Sequence, residues 1–493
     1  MSLLILLLSA LPLAVIGFIF EAYPRFINRY CGVDIWTHLL YLQEYHRQKG
    51  IPKKIENGFL VPGEYDYPPA FIFILSKFPI KYVKKYEFMF SPFFDAIFAI
   101  IIFFLSYYFT QNIVISFLTQ VIYFLTPIIV LENSSATPRS LGYTLFTIVF
   151  LSIFIFEKTQ NYWFVLFAII VGAFIFLAHR FTTQSFLFFS VFFSVITFNF
   201  WYLIIFMGAF AFSVIISKGF YLKVLQGHLG NLKFWKDNIG YRFAHQVRGT
   251  AQQHKTNDFV FRMYNEFLRF PPFVLAITNP WVISAVCFYY FFPSTDLIII
   301  RLGQVVLFSY ILSLLTIWIP SLRLLGEGQR YLELSAFPTA FLSAQLLSKS
   351  FNNIFIISAF IFVGICSLIT IIVIQRKAII MDKLRTLTPD LKEMFGYLKS
   401  LKKKPKLLCI PHQMTTSTIY HTGCPVFVNA DYANIEKISD VYPFIKLPIN
   451  QIMKKHGLNA IILNEQYAKF EELKLHKNKI IKKINNYLLI SFE

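Results

Sequence analysis

Charge is scarce in this chain: 15% of its residues are Asp, Glu, Lys or Arg, against roughly 25% in a soluble globular protein. With 56% hydrophobic residues, 19% aromatic residues and a mean hydropathy of +0.57, that deficit excludes an ordinary soluble fold. Cysteine is scarcer still. The five present, Cys31, Cys287, Cys366, Cys409 and Cys424, form no CxxC and no metal-ligand spacing. Cys287 and Cys366 fall in apolar runs and are expected as small core residues; Cys409 and Cys424 could pair only in an oxidising compartment. A P-loop, a Gly-rich dinucleotide turn, HExxH and GxSxG are all missing. ATP-driven transport and zinc hydrolysis therefore lack their machinery. There is no internal repeat and no low-complexity tract.

Apolar length is what the chain has instead. Runs of about 20 apolar residues recur, the length that crosses a hydrocarbon core about 30 Å thick. Hydropathy predicts about eleven spans, at 2–20, 90–109, 112–131, 139–157, 161–178, 181–198, 200–217, 274–293, 298–319, 329–348 and 352–375. Residues 2–20 are apolar like a signal sequence but lack its basic start, so they are expected to stay as the first span. The fold class is a polytopic α-helical membrane protein.

Three polar pieces interrupt the spans, at 21–89, 218–273 and 376–493. With eleven spans all three fall on one side of the membrane, together with the short links 132–138 and 320–328. Segment 376–493 holds 20 basic and 10 acidic residues, and 218–273 holds nine and three. The positive-inside rule leans toward a cytoplasmic face. Long loops, however, translocate largely regardless of their charge.

The tail from about Arg376 reads as a small soluble α/β domain behind a membrane module spanning 1–375. Thr388 and Pro389 have the chemistry of an N-cap and a first helical residue. KLLCIP, PVFVNA and NAIILNE read as short strands, and MKKHGL as a helix end closed by Gly457.

Charged residues gather in three places. The first loop, GVDIWTHLLYLQEYHRQKGIP followed by DYPP, carries Asp34, His38, Glu44, His46, Glu64 and Asp66. Asp34 and His38 are spaced i, i+4 and share a helix face. Trp36, Leu39, Leu40 and Leu42 offer apolar surface for lying along the membrane interface. Pro68-Pro69 then leads into AFIFILSKF, a re-entrant or interfacial piece. An amphipathic surface helix with a solvated acid is the plainer alternative.

The second group sits at span ends: Arg139 after NSSATP, His179-Arg180 where two apolar runs meet, and Arg323, Glu327, Arg330, Tyr331 and Glu333 in SLRLLGEGQRYLEL. Such charges face a cavity or pair with each other, and several arginines suit a phosphate, which Arg binds bidentately. Snorkelling anchors are the alternative. The third group, His228, Trp235, Lys236, Arg242, His245, Arg248 and His254, lies in a loop too long for a mere connector. It reads either as a lid or substrate-binding loop or as an ordered surface helix pair.

Taken in order, these pieces resemble the GT-C superfamily of integral-membrane glycosyltransferases, mannosyltransferases and arabinosyltransferases included. The likeness rests on Asp34 in GVDIWTHLLYLQEYHRQKGIP, on YDYPPAFIFIL, and on the span-end stretches ATPRSLG, AHRFTTQS and GQRYLELSAFP. It extends in layout over most of 1–375 and includes a small soluble domain after the last span.

The resemblance implies a polyprenyl-phosphate-linked sugar donor in the bilayer and an acceptor hydroxyl on a glycan, lipid or protein. It implies Asp34 as general base, with Asp66 or Glu64 as a second acid orienting the acceptor. Arg139, Arg180, Arg323 and Arg330, supported by His179, would stabilise the leaving phosphate, with His38, Glu327 and Tyr331 lining the substrate site. It also implies extracytoplasmic loops and tail at the cell membrane. No cofactor is called for and no nucleic acid partner is expected. The chain lacks a clear DxD pair and a WWDYG-like sequence, so a divalent metal is not indicated. The competing readings are a lipid-linked glycan polymerase or ligase, a non-catalytic assembly subunit of a cell-envelope complex, and a transporter or flippase of a lipid-linked or anionic solute; the last fits poorly with one-sided loops and absent repeats.

Overall fold

Where no water reaches the backbone, only an intrahelical ladder satisfies every polar group, and each of the eleven expected spans falls on helix in the computed structural model of this protein. The structure describes residues 2–55, 58–61, 63–241, 244–249, 271–427, 435–475 and 478–492. Arg242 and His254 lie outside the described residues.

Among the described residues, five helices are long and apolar enough to cross a membrane: Leu3–Ile27, Glu87–Thr110, Arg139–Thr159, Leu297–Trp318 and Ile354–Ile380. Counting each bent helix pair as one span raises the number to eight. The remaining expected spans are the short helices Trp163–Ala178, Arg180–Thr197 and Ala336–Lys349.

The bends have local causes. Pro127, which has no N–H to continue the ladder, marks the 62° break between Ile113–Phe124 and Pro127–Asn133. The 118° break before the helix Phe220–Asn238 falls at Lys218 and Gly219, with φ of 51° and 81°.

By packing, the chain divides differently from its order along the sequence. One unit comprises 1–27, 88–221 and 256–380; the other comprises 28–87, 222–255 and 381–493. Much of both polar insertions thus folds with the tail.

The first unit is a helical bundle. Lipid supplies little hydrophobic drive between helices, so close approach and interhelical hydrogen bonds carry the association. At Gly172 an added β-carbon would come within 2.9 Å of Ala209, so glycine lets two helices touch there. The buried amide of Gln120 donates to the carbonyls of Ala10 (3.2 Å) and Ala99 (2.9 Å), tying three helices together. Cys366, expected in the core, is exposed on its helix, and Cys287 is half-buried.

The second unit is mixed α/β. A small antiparallel ladder pairs β1 (Lys54–Ile55) with β2 (Gly63–Glu64). The main sheet contains β3 (Leu407–Ile410), β4 (Ala460–Asn464), β5 (Asn478–Ile484) and β6 (Tyr487–Phe492) in the order β3-β4-β6-β5, with β3 and β4 parallel. Its core joins Leu408, Ile461, Leu463, Leu488 and Ile490 to Phe234 from the second insertion. The first loop joins too: Leu60 N–H donates to the Val426 carbonyl at 2.8 Å, and Val426 N–H donates to that of Gly58 at 2.6 Å. All five cysteines are free, so Cys409 and Cys424 do not pair.

The loop helix Asp34–Gln48 corrects one expectation. Trp36, Leu39, Leu40 and Leu42 are 0–5% exposed, so this apolar face is consumed by packing inside the α/β unit and is not free to lie on a membrane.

Candidate functional site

Asp34 opens its helix. The preceding Val33 supplies no side-chain cap, so an acid in the first turn is the group that meets the positive helix end. The Asp34 side chain is exposed. Behind it, residues 28–32 are bolted to the start of the tail. Asn28 Nδ2 donates to the Asp382 carbonyl (3.0 Å) and Thr386 Oγ1 (2.9 Å), and Gly32 N–H donates to the Arg385 carbonyl at 3.0 Å. Burial works against the Arg385 guanidinium, but the Asp382 carboxylate at 2.5 Å and, more weakly, Asp34 hold it charged. Sequence reasoning missed Arg385, because nothing in DKLRT signals a partner some 350 residues away.

The other first-loop candidates separate by environment. His38 is buried, with its ring edge-on to Phe71 at 4.9 Å and Tyr67 at 5.9 Å. Asp66 is buried. Glu64 is exposed and pairs with Lys223 at 2.8 Å. Glu44 is buried, with Arg47 at 2.6 Å and Gln48 at 2.9 Å.

In the helical unit the span-end charges form a network. Buried Arg139 bridges Glu132 and Glu333, the latter at 3.3 Å. Arg330 pairs with Glu327 at 2.8 Å, and both act electrostatically on Glu333. Tyr331 is fully buried; Gln184 donates to its hydroxyl at 2.7 Å, and Phe181 packs against its ring at 4.7 Å. His179 Nδ1 lies 3.0 Å from Thr182 Oγ1, and half-buried Arg180 acts electrostatically on Tyr221. Arg323 is exposed, and its Nε donates to the Ile317 carbonyl at 3.2 Å.

Arg139, Arg330, Glu327 and Tyr331 therefore come from the expected set, whereas Glu132 and Gln184 were not singled out by sequence. The one available signal was an acid seven residues before Arg139. The network holds three carboxylates against two guanidinium groups, so the cations carry their own counter-charges. Among the described residues, no group of three or more His, Cys, Asp or Glu is placed to hold a metal ion.

A second buried polar cluster lies in the same unit. Asp95 Oδ1 accepts from the hydroxyls of Tyr123 (2.6 Å) and Tyr143, and Asn133 Nδ2 donates to Tyr143 at 2.5 Å. Glu21, fully buried, faces Asp95 and Asn133. Asp95 and Glu21 are carboxylic acids set within or at the end of apolar helices, where such groups face a cavity or pair with each other.

No protein-family model matches the chain, and no curated protein is similar to it. Among solved structures it is similar to the archaeal oligosaccharyltransferase AglB from Archaeoglobus fulgidus, in complex with an inhibitory peptide and a dolichol-phosphate. Identity there is 11% and the TM-score 0.44, over 94% of this chain and 70% of that one. It is also similar to ArnT from Cupriavidus metallidurans in the apo state, at 9% identity and TM-score 0.44 over 97% of both chains. The same ArnT bound to undecaprenyl phosphate gives 9% and 0.43, again over 97% of both.

Proposed function

We propose that this integral-membrane protein is a glycosyltransferase of the GT-C type, which moves a hexose or pentose from a polyprenyl-phosphate-linked donor to an acceptor hydroxyl on a glycan, lipid or protein. The observation that carries the reading is the exposed Asp34 carboxylate, at a helix start in the first polar loop, with the Arg385 backbone anchored beside it. A general base must be both reachable by substrate and held in place. The exposure of Asp34 and the anchoring of residues 28–32 beside it support that role.

In the proposed reaction the acceptor oxygen attacks the anomeric carbon while Asp34 takes the hydroxyl proton. The new carbon–oxygen bond forms on the face opposite the old one, giving inversion, and the broken bond's electron pair leaves with the phosphate. That leaving group is already anionic and needs charge stabilisation more than protonation. Arg139, Arg180, Arg323 and Arg330, with His179, are assigned to it. Pairing of Arg139 and Arg330 to glutamates means that phosphate would compete with carboxylates, which favours release of the spent carrier.

Glu64 is assigned to orienting the acceptor, and buried Asp66 to holding that loop. His38, Glu327 and Tyr331 are assigned to the lining of the substrate site. The loops and tail are assigned to the extracytoplasmic face of the cell membrane.

The decisive test is Asp34→Asn in membranes supplied with radiolabelled polyprenyl-phosphate sugars. Transfer should fall by at least about 10²-fold, the usual share of a general base, with unchanged expression and melting temperature. Near-normal turnover would remove Asp34 as the base.

A further inference from the structure

The segment between Pro69 and Glu87 has a face that the proposed reaction leaves unused. Its two short helices, Ala70–Leu75 and Ile80–Lys85, turn Phe71, Ile72, Leu75 and Val83 inward. Outward, Phe73 is 47% exposed, Phe78 48%, Tyr82 47% and Tyr86 40%. Four large aromatic side chains at this exposure within so short a stretch form a patch that a water-facing surface would not keep without a partner.

Lysines alternate with these rings. Lys77, Lys81 and Lys85 are exposed, and their ammonium groups lie over Phe73 (4.3 Å), Tyr82 (5.0 Å) and Tyr86 (5.2 Å). Lys84 is different. It is half-buried over Tyr420 at 4.8 Å and Trp36 at 5.9 Å, where burial pushes its pKa down, so it belongs to the packing of the unit. There is no acid between Asp66 and Glu87 to offset the outward charge. Glu87 itself is buried, with Arg29 at 3.9 Å.

Chain length confines this face. Lys85 precedes Phe90, where the α-helix of the span Glu87–Thr110 starts, by five residues, a reach of at most about 18 Å. Arg29, two residues beyond the helix Leu3–Ile27, donates from Nη2 to the Lys85 carbonyl at 2.5 Å. Covalent reach alone therefore keeps Lys85 within about 18 Å of the start of the next span. Aromatic rings and lysines are the side chains that settle where a span leaves the hydrocarbon, and lysines there attract anionic headgroups within a Debye length.

We propose that residues 73–86 are a docking surface for the anionic phospholipids of the surrounding bilayer. The aromatic rings enter the boundary between headgroups and acyl chains, and Lys77, Lys81 and Lys85 meet the phosphates. The inference stands independently of the proposed reaction.

The test is native mass spectrometry of the full-length, detergent-purified protein mixed with phosphatidylglycerol and phosphatidylcholine. Wild type should retain phosphatidylglycerol several-fold over phosphatidylcholine, and raising the salt should erase the preference. The K77Q/K81Q/K85Q variant should bind the two lipids equally, while K77R/K81R/K85R should keep the preference and show that the changes are tolerated. An unchanged preference in the glutamine variant, or its persistence in wild type at high salt, would overturn the proposal. So would displacement of the lipid by soluble glycerol phosphate, which would indicate a phosphate pocket in place of a bilayer surface.

Discussion

The carboxylate of Asp66 occupies the space that a β-carbon on Gly227 would need. Glycine inside a helix costs about 1 kcal/mol relative to alanine, and Gly227 lies within the helix Phe220–Asn238, so its place there calls for a packing reason. The close approach of a buried acid supplies it. Gly227→Ala should therefore destabilise the protein by about 1–3 kcal/mol through overpacking. Gly230 on the same helix has nothing within 4 Å of its would-be β-carbon, and Gly230→Ala should be neutral or stabilising by a few tenths of a kcal/mol. Thermal melts of the two variants compare the sites directly; equal effects would refute the contact.

Arg139 is the hinge of the helical unit's charge network. Arg139→Ala leaves Glu132 and Glu333 without their shared cation, and removing one partner of a buried pair costs about 3–5 kcal/mol. Much of that penalty is the stranded acid. The double variant Arg139→Ala/Glu333→Gln should therefore recover stability relative to Arg139→Ala alone, a non-additivity of about 1–3 kcal/mol in the mutant cycle. Additive losses would mean that the two side chains do not interact.

Acid should weaken the α/β unit in a defined window. Burial pushes His412 down to about 4; burial, then Lys84, Lys392 and Lys399, push His421 to about 4 as well. Unfolded, both titrate near 6.5. The unfolded chain therefore binds protons first, so this stability is complete above pH 6.5 and is lost as pH falls toward 4. Between pH 7 and 5 the loss should be about 2 kcal/mol for fully buried His412 and less for His421, which is discounted for partial exposure. Glu472 titrates lower: its bond with Arg248 holds it at about 2, and its contribution disappears only below the ordinary carboxylate range. His412→Gln/His421→Gln should flatten the decline between pH 7 and 5. An unaltered slope would clear both residues.

The parts of this architecture written in local chemistry were legible in advance. Each of the long apolar runs expected to span falls on helix. Thr388 does cap the helix Pro389–Ser400, its side chain accepting from Leu391 N–H at 3.2 Å, and KLLCIP and NAIILNE contain β3 and β4. PVFVNA gives only bridges at Val426 among the described residues. The β5–β6 hairpin was overlooked although its alternation and Asn485-Asn486 turn were there to read.

Whatever depends on distant partners was not legible. A strong amphipathic pattern over 34–48 identifies an apolar face but not what covers it, and the tail covers it here. Arg139 and Asp34 are both conspicuous charges in sequence. Only their partners tell a buried bridge from an exposed acid.

The clearest case of distant dependence is Gln246, buried at the end of β3. Its Nε2 donates to the Cys409 carbonyl (3.4 Å), its Oε1 accepts from His412 N–H (2.7 Å), its N–H donates to the Tyr467 hydroxyl (2.7 Å), and its carbonyl accepts from Ile445 N–H (2.7 Å). One residue of the second insertion thus completes the backbone pairing of the tail. Gln246→Ala keeps the two main-chain bonds and deletes the two side-chain bonds, stranding a backbone donor at His412. A buried group left unsatisfied costs about 1–3 kcal/mol. Hydrogen exchange should accordingly accelerate at His412 and along Leu407–Ile410, while the membrane helices keep their protection. Gln246→Glu retains the acceptor for His412 but loses the donor to Cys409, so its exchange should fall between wild type and alanine. Unchanged protection of β3 in both variants would show that the tail folds without the insertion, and the α/β unit would then be an appended domain with two loops resting on it.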